Sequence, residues 1–256
     1  MSGAVRLTYV GGPTALVEFH GVRFLTDPTF DPAGGDYATP AYTLHKTQSP
    51  ALPAEAVGAI DAVLLSHDHH FDNLDNAGRA LLARAPRILT TEAGAGRLGA
   101  PTVGLRPWQS ASLPSPAGGD VRVTATPARH GPPGGDRGPV IGFVLTHDGG
   151  PEAVYFSGDT VWYDDLREVG RRFDVRCAVL FMGAARVAVA GPLPLTFTAE
   201  EGVRAARAFA DARIVPLHYE GWEHFTESRR EIDAAFAAAG LSERLLWLPP
   251  GVPTSP

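Results

Sequence analysis

Short apolar and β-branched runs, punctuated by glycine and proline, set the rhythm of this chain. Val5–Val10, Ala15–Phe19 and Val22–Leu25 are separated by Gly11-Gly12-Pro13 and by His20-Gly21, which predicts a three-stranded meander. Residues 31–56 carry Gly, Pro, Thr and Ser without periodicity and read as a long surface loop, a length common in functional covers. Asp61–Leu65 is short and continuously apolar at its centre, the mark of a buried strand. Leu74–Ala83 has helical spacing, with Leu74, Ala77, Leu81 and Leu82 on one face. Asp72 or Asn73 then stands where a cap would. Further strands are expected at Arg87–Thr90, Thr102–Leu105, Val121–Thr126, Val140–Thr146, Ala153–Phe156, Val175–Met182, Arg213–Leu217 and Leu245–Leu248. Helices are expected at Ala93–Leu98, Trp162–Arg172, from Thr198 to about Phe209, and at Thr226–Ala239, the last stopped by Gly240. Strands fill the first half and alternate with helices in the second, with no linker between. That order predicts one layered α/β domain over residues 1–256.

The polar residues that follow these strands repeat a theme. Asp27 follows the third run and is equally a turn former or a support for a ligand. After Asp61–Leu65 come His67, His69, His70, Asp72, Asn73 and Asp75. His130 follows Val121–Thr126, Asp159 follows Ala153–Phe156 beside Gly158, and His218 follows Arg213–Leu217. Neutral imidazoles and carboxylates are what Zn, Mn or Fe require. If these strand ends gather on one edge, they form one site.

Composition narrows the picture. A net charge of −6 and a pI near 5.8 argue against a general nucleic-acid binder. Cys177 is the sole cysteine and lies in an apolar run, so it reads as a buried small hydrophobe, with no intrachain disulfide or thiolate cluster to form. Lys46 is the only lysine. No basic segment leads into an apolar one at the start, and no run approaches the length of a membrane span, so a cytoplasmic protein acting on a small molecule is expected. Oligomeric state is not legible. A Gly-x-Ser-x-Gly elbow and a phosphate-binding Gly-Lys-Ser/Thr loop are both absent, which sets aside serine hydrolases and P-loop NTPases.

Six motifs occur in order: Leu25-Thr26-Asp27-Pro28, Leu65-Ser66-His67-Asp68-His69, Pro127-Ala128-Arg129-His130, Tyr155-Phe156-Ser157-Gly158-Asp159-Thr160, Thr196-Phe197-Thr198-Ala199-Glu200-Glu201 and Val215-Pro216-Leu217-His218. In this the chain resembles the metallo-β-lactamase fold hydrolases, and more narrowly the branch with the ascorbate-6-phosphate lactonase and N-acyl-phosphatidylethanolamine phospholipase D. The resemblance implies a four-layer αββα sandwich with one or two divalent metal ions at one edge. Against the branch pattern Ser-His-Asp-His-Tyr-Asp-His-Leu-Asp, the stretch Ser66–Asp75 is one residue longer, and Asn73 takes the last histidine position. Aligned from the left, His67 and His69 are ligands; aligned from the right, Asp68 and His70 are.

By the same resemblance His130 completes the first metal's set, Asp159 bridges, and Asp72, Asn73 and His218 hold the second. Asn73 offers an amide oxygen in place of imidazole nitrogen, so the second site is expected to be weakened, retuned toward Mn or Fe, or empty. The implied chemistry is attack by a metal-bound hydroxide, oriented by Asp72, on an ester, lactone or phosphodiester. Arg186, Trp162, Tyr219, Trp222 and His224 are candidates for the substrate pocket, Arg186 for a phosphate or carboxylate. Tyr42 and His45 in the long loop are weaker ones, and His224 reads as structural or supporting rather than as a ligand. The competing reading is a degenerate member with one metal or none, serving as a binding or assembly module.

Overall fold

Alternation of side chains along apolar strands builds two sheets, each buried on both faces. A computed structural model describes residues 5–256. β1 (Val5–Gly11), β2 (Thr14–Phe19) and β3 (Val22–Thr26) form an antiparallel meander, with a register shift between Tyr9 and Gly11. β4 (Asp36–Ala38) and β5 (Thr43–His45) make a separate hairpin. β6 (Ala62–Leu64) then joins β3 in parallel, followed by β7 (Ile88–Thr91) and β8 (Thr102–Leu105), also parallel. The first sheet thus has the order β1-β2-β3-β6-β7-β8, with α1 (Asn76–Leu82) and α2 (Glu92–Leu98) in its parallel crossovers.

The second sheet mirrors this plan. β9 (Ser110–Pro114), β10 (Asp120–Pro127), β11 (Ile141–His147) and β12 (Gly150–Phe156) are antiparallel; β13 (Asp174–Phe181) and β14 (Arg213–Leu217) continue in parallel. α3 (Arg167–Arg172), α4 (Ala199–Ala208) and α5 (Arg229–Ala238) follow β12, β13 and β14. Val17, Phe24 and Leu64 meet Val123, Phe143, Phe156 and Val179 between the sheets. Leu25, Val63 and Leu65 on one outer face lie under Leu74, Leu81 and Leu82. Tyr155, Leu180 and Ile214 on the other lie under Val203, Ala206 and Phe236. Two-sided burial explains why β13 reads as a continuous apolar run: Cys177, Val179 and Phe181 face inward, Ala178 and Leu180 outward. This is the αββα sandwich expected. Among the described residues, no helix is long and apolar enough to cross a membrane.

Several expectations need correction. The 31–56 stretch is not structureless: it contains the β4–β5 hairpin, whose Tyr37 and Leu44 pack on Trp222. β9 escapes notice because it is a polar edge strand, Ser-Ala-Ser-Leu-Pro. The helix expected at Trp162–Arg172 starts only at Arg167, after a single 3₁₀ turn at Asp164–Leu166. The last helix starts at Arg229 with Ser228 as its cap, because Thr226 is already bound through Oγ1 to the Ala184 carbonyl. Leu245–Leu248 is not a strand: Leu245 makes one isolated bridge to Ile214 before Pro249-Pro250 ends any ladder.

Candidate metal centre

Within each sheet, strands that share a direction end on the same edge, so the residues after β3, β6, β10, β12 and β14 converge there. These are Asp27, the 66–73 segment, His130, Asp159 and His218, and all but His69, His70 and Phe71 are buried. The crowding is visible in the backbone: Asp27 and His218 adopt positive φ of 26° and 53°, a conformation non-glycine residues rarely hold. Gly158 is a glycine for steric reasons. With φ at 59°, a Cβ there would lie 2.6 Å from the Ile141 carbonyl oxygen and 2.9 Å from Ser66 Cβ.

Three imidazoles meet at one point. His67 Nε2 lies 2.9 Å from His70 Nδ1, which lies 3.2 Å from His130 Nε2. Asp159 Oδ2 completes the group at 3.4 Å from His130 Nε2 and 4.0 Å from His67 Nε2. Two ligands each about 2.0–2.1 Å from a tetrahedral ion stand roughly 3.3 Å apart, which is the scale of these separations. The tautomers suit an ion. Ser66 donates its hydroxyl proton to Asp27 Oδ1 at 2.7 Å, so His67 Nδ1–H donates to Ser66 Oγ at 2.9 Å and Nε2 keeps its lone pair for the site. His130 Nδ1–H likewise donates to the Leu195 carbonyl at 2.9 Å, leaving Nε2 free.

A second group shares Asp159. Its Oδ1 lies 3.5 Å from His218 Nε2, which lies 3.5 Å from Asp72 Oδ2. His224 Nε2 approaches the same Asp72 oxygen at 3.0 Å. Asn73 turns its amide nitrogen toward Asp159 Oδ1 at 3.4 Å. Asp159 Oδ2 and both His218 nitrogens are buried without a hydrogen-bond partner among the described residues. Native interiors rarely leave such atoms unpaired, so this donor set fits bound cations.

Electrostatics agree where the three imidazoles meet. Burial, reinforced by His70, holds the His67 imidazole well below its usual range; burial and His130 push His70 down to about 3. Both rings are therefore neutral, as ligation requires. Burial also works against charge on His218, but Asp159 and Asp72 outweigh it and push its pKa up to about 10. Burial likewise opposes ionisation of Asp72 and Asp159, yet His218 and His224 hold the first well below the carboxylate range, and His218 and His130 the second. Asp27 goes the other way: burial raises it, against the Ser66 hydrogen bonds.

The inserted residue in the 67–70 stretch is absorbed at Asp68 and His69. Asp68 is turned into an ion pair with Arg97, and His69 Nε2–H donates to the Arg137 carbonyl at 2.9 Å. Neither alignment holds whole: His67 comes from one and His70 from the other. His69 remains near His67 and His70, but its ring is engaged outside the point where the other three meet. Asp75 lies outside the site; it caps α1 through Gly78 N–H and pairs with buried Lys46 Nζ at 2.7 Å.

A cavity of about 270 Å³ is lined by Tyr42, Leu44, His45, Arg186, Val187 and His224, among others. Arg186 reaches it with its guanidinium bound to the Pro192 carbonyl and to Thr226 Oγ1. Trp222 is buried against Tyr37 and Leu44, and Trp162 lines a separate depression with Arg129 and Arg204. Tyr219 packs edge-on against Trp247. Ser66 is the residue here that sequence reasoning missed, because its role follows from contacts.

A family model described as a β-lactamase superfamily domain matches residues 22–219. A metal-dependent hydrolase of Pyrobaculum aerophilum is 25% identical over 253 residues, spanning 96% of this chain and 97% of its own. The isothiocyanate hydrolase from Delia radicum gut bacteria superposes with a TM-score of 0.79 at 23% identity, covering 98% of both chains. A possible metal-dependent hydrolase of Veillonella parvula gives a TM-score of 0.81 at 17% identity, covering 99% of this chain and 100% of its own.

Proposed function

We propose, from the premise that this chain belongs to the metallo-β-lactamase superfamily of metal-dependent hydrolases, that it cleaves an ester, lactone or phosphodiester bond in a small molecule. The observation that carries the reading is the pair of nitrogen and carboxylate clusters sharing Asp159, with buried lone pairs that no protein group satisfies. His67, His70 and His130 with Asp159 would hold one divalent ion, Zn, Mn or Fe. Asp72, His218 and the other Asp159 oxygen would hold a second, in a site altered by Asn73. The chemistry such an ion would supply when bound is hydroxide at neutral pH and stabilisation of negative charge on the bond being cleaved.

The chain's own residues provide the rest. Asp72, ionised and turned by His218 and His224, would accept a proton and orient the attacking oxygen. The 270 Å³ cavity beside His224 admits a compact substrate, with Tyr42, Leu44 and Val187 as apolar contacts. Arg186 ties its own loop to Thr226, and Thr43, His45, Glu223 and His224 are among the other polar groups of the lining.

The test is a screen of p-nitrophenyl esters, lactones and bis-p-nitrophenyl phosphate, with benzyl isothiocyanate added because a neighbour of the same fold hydrolyses that class. Turnover on one of these, lost with chelator and restored by Zn, Mn or Fe, is the expected result. A metal-replete chain inert on the whole panel points instead to the binding-module reading.

A further inference from the structure

We infer that His224 supplies the imidazole of the second cation site, in the position Asn73 leaves without one. The inference rests on the two-ion reading above and names a ligand that reading lacks.

Asn73 is the wrong way round to ligate. The end of its side chain that faces the site is the amide nitrogen, which donates to Asp159 Oδ1 at 3.4 Å and carries no lone pair for a cation. That leaves Asp72, Asp159 and His218, a set with a single imidazole. His224 Nε2 stands 3.0 Å from Asp72 Oδ2, close to the roughly 3.3 Å expected between two ligands of one tetrahedral ion. Its side chain is 9% exposed, and Nδ1 is buried with no partner among the described residues.

His224 is also held as a ligand needs to be. The 219–225 loop is stitched to neighbouring segments by backbone bonds on both sides of it. Thr47 N–H donates to the Gly221 carbonyl, Glu223 N–H to the His45 carbonyl, and Arg186 N–H to the His224 carbonyl, at 2.8, 3.0 and 2.9 Å. Phe225 packs against both the His224 and His218 rings, with centroids 4.6 and 4.8 Å away. An imidazole fixed this firmly beside a shared carboxylate needs little reorganisation to bind an ion.

The experiment titrates the metal-free full-length chain with Zn²⁺ by calorimetry and by competition with a chromophoric chelator. Cobalt absorption is recorded in parallel, since its intensity reports coordination number. Wild type is expected to take up two equivalents. His224→Ala is expected to keep the first and to weaken the second by about 100-fold or more, at the upper end of what even indirect supports of a metal site are worth. His224→Gln can still donate to Asp72 but offers no ring nitrogen; it is expected to behave like His224→Ala, whereas Asn73→Ala stays within a few-fold of wild type. Full second-site affinity in His224→Gln, or its loss in Asn73→Ala instead, overturns the assignment while leaving two ions in place. A wild-type chain that takes up fewer than two equivalents overturns the two-ion reading and the assignment together. Melting curves of each metal-free variant confirm that the fold is intact.

Discussion

Asp72 and Ser66 separate two kinds of residue in this centre, those that touch the chemistry and those that aim what touches it. On the proposed reading, removing the Asp72 carboxylate deletes a proton acceptor, and such groups contribute about 10²–10⁴-fold. Asp72→Ala is therefore expected to lower kcat by at least the smaller figure on whichever substrate the screen finds, while the three-histidine cluster still binds one equivalent of Zn. Ser66→Ala breaks the relay from Asp27 to His67 without touching a ligand. Chelator competition should show its first-ion affinity falling about 10–100-fold; unchanged affinity would make Ser66 a bystander. At this scale much of the candidate site is legible in the sequence, because His67, Asp72, His130, Asp159 and His218 each follow a strand. The choice among Asp68, His69 and His70 is not. It depends on which side chains Arg97 and the Arg137 carbonyl capture, and those partners come from distant parts of the chain.

Among the elements, the buried parallel strands and α4 declared themselves, and the edge pieces did not. β6, β13 and β14 are buried on both faces and carry apolar runs that only such strands need. β9 and the β4–β5 hairpin pair in ways that residue type does not encode, one as a polar edge, the other by resting Tyr37 and Leu44 on Trp222. The end of α4 is a similar case: Arg244, far along the chain, donates to the carbonyls of Ala206, Phe209 and Ala212 and so serves as its terminal partner. Two substitutions test these junctions. Ser228→Ala removes the capping box of α5 and should cost about 1 kcal/mol in denaturant unfolding. Gly158→Ala must push its new methyl against Ile141 and Ser66 from a positive φ, and should cost about 1–3 kcal/mol. Since Asp159 is the next residue, the same variant should also bind metal less tightly.

Taken whole, the molecule is two sheets closed over one apolar layer, with its charge chemistry confined to one edge. Cys177 sits inside that layer, and burial pushes its thiol up to about 12. An unfolded thiol ionises near about 8.5, so between those values the folded chain keeps a proton that the unfolded chain loses. This contribution to stability is fully present below about pH 8.5 and is lost as pH rises toward 12. A disulfide-exchange reagent at pH 8 should accordingly find no reactive thiol in the native protein and one per chain in denaturant. Rapid labelling of the native chain would place Cys177 nearer the surface than its 2% exposure allows.

The buried Lys46–Asp75 pair has a practical corollary. Because Lys46 is the chain's one lysine and its side chain is 4% exposed, the folded surface among the described residues offers amine-directed reagents no side-chain target. Acylation of Lys46 is thus a clock for opening of the fold: its rate, followed by mass spectrometry, reports how often the wall joining β5 to α1 parts, and ligands that hold that wall shut should slow it.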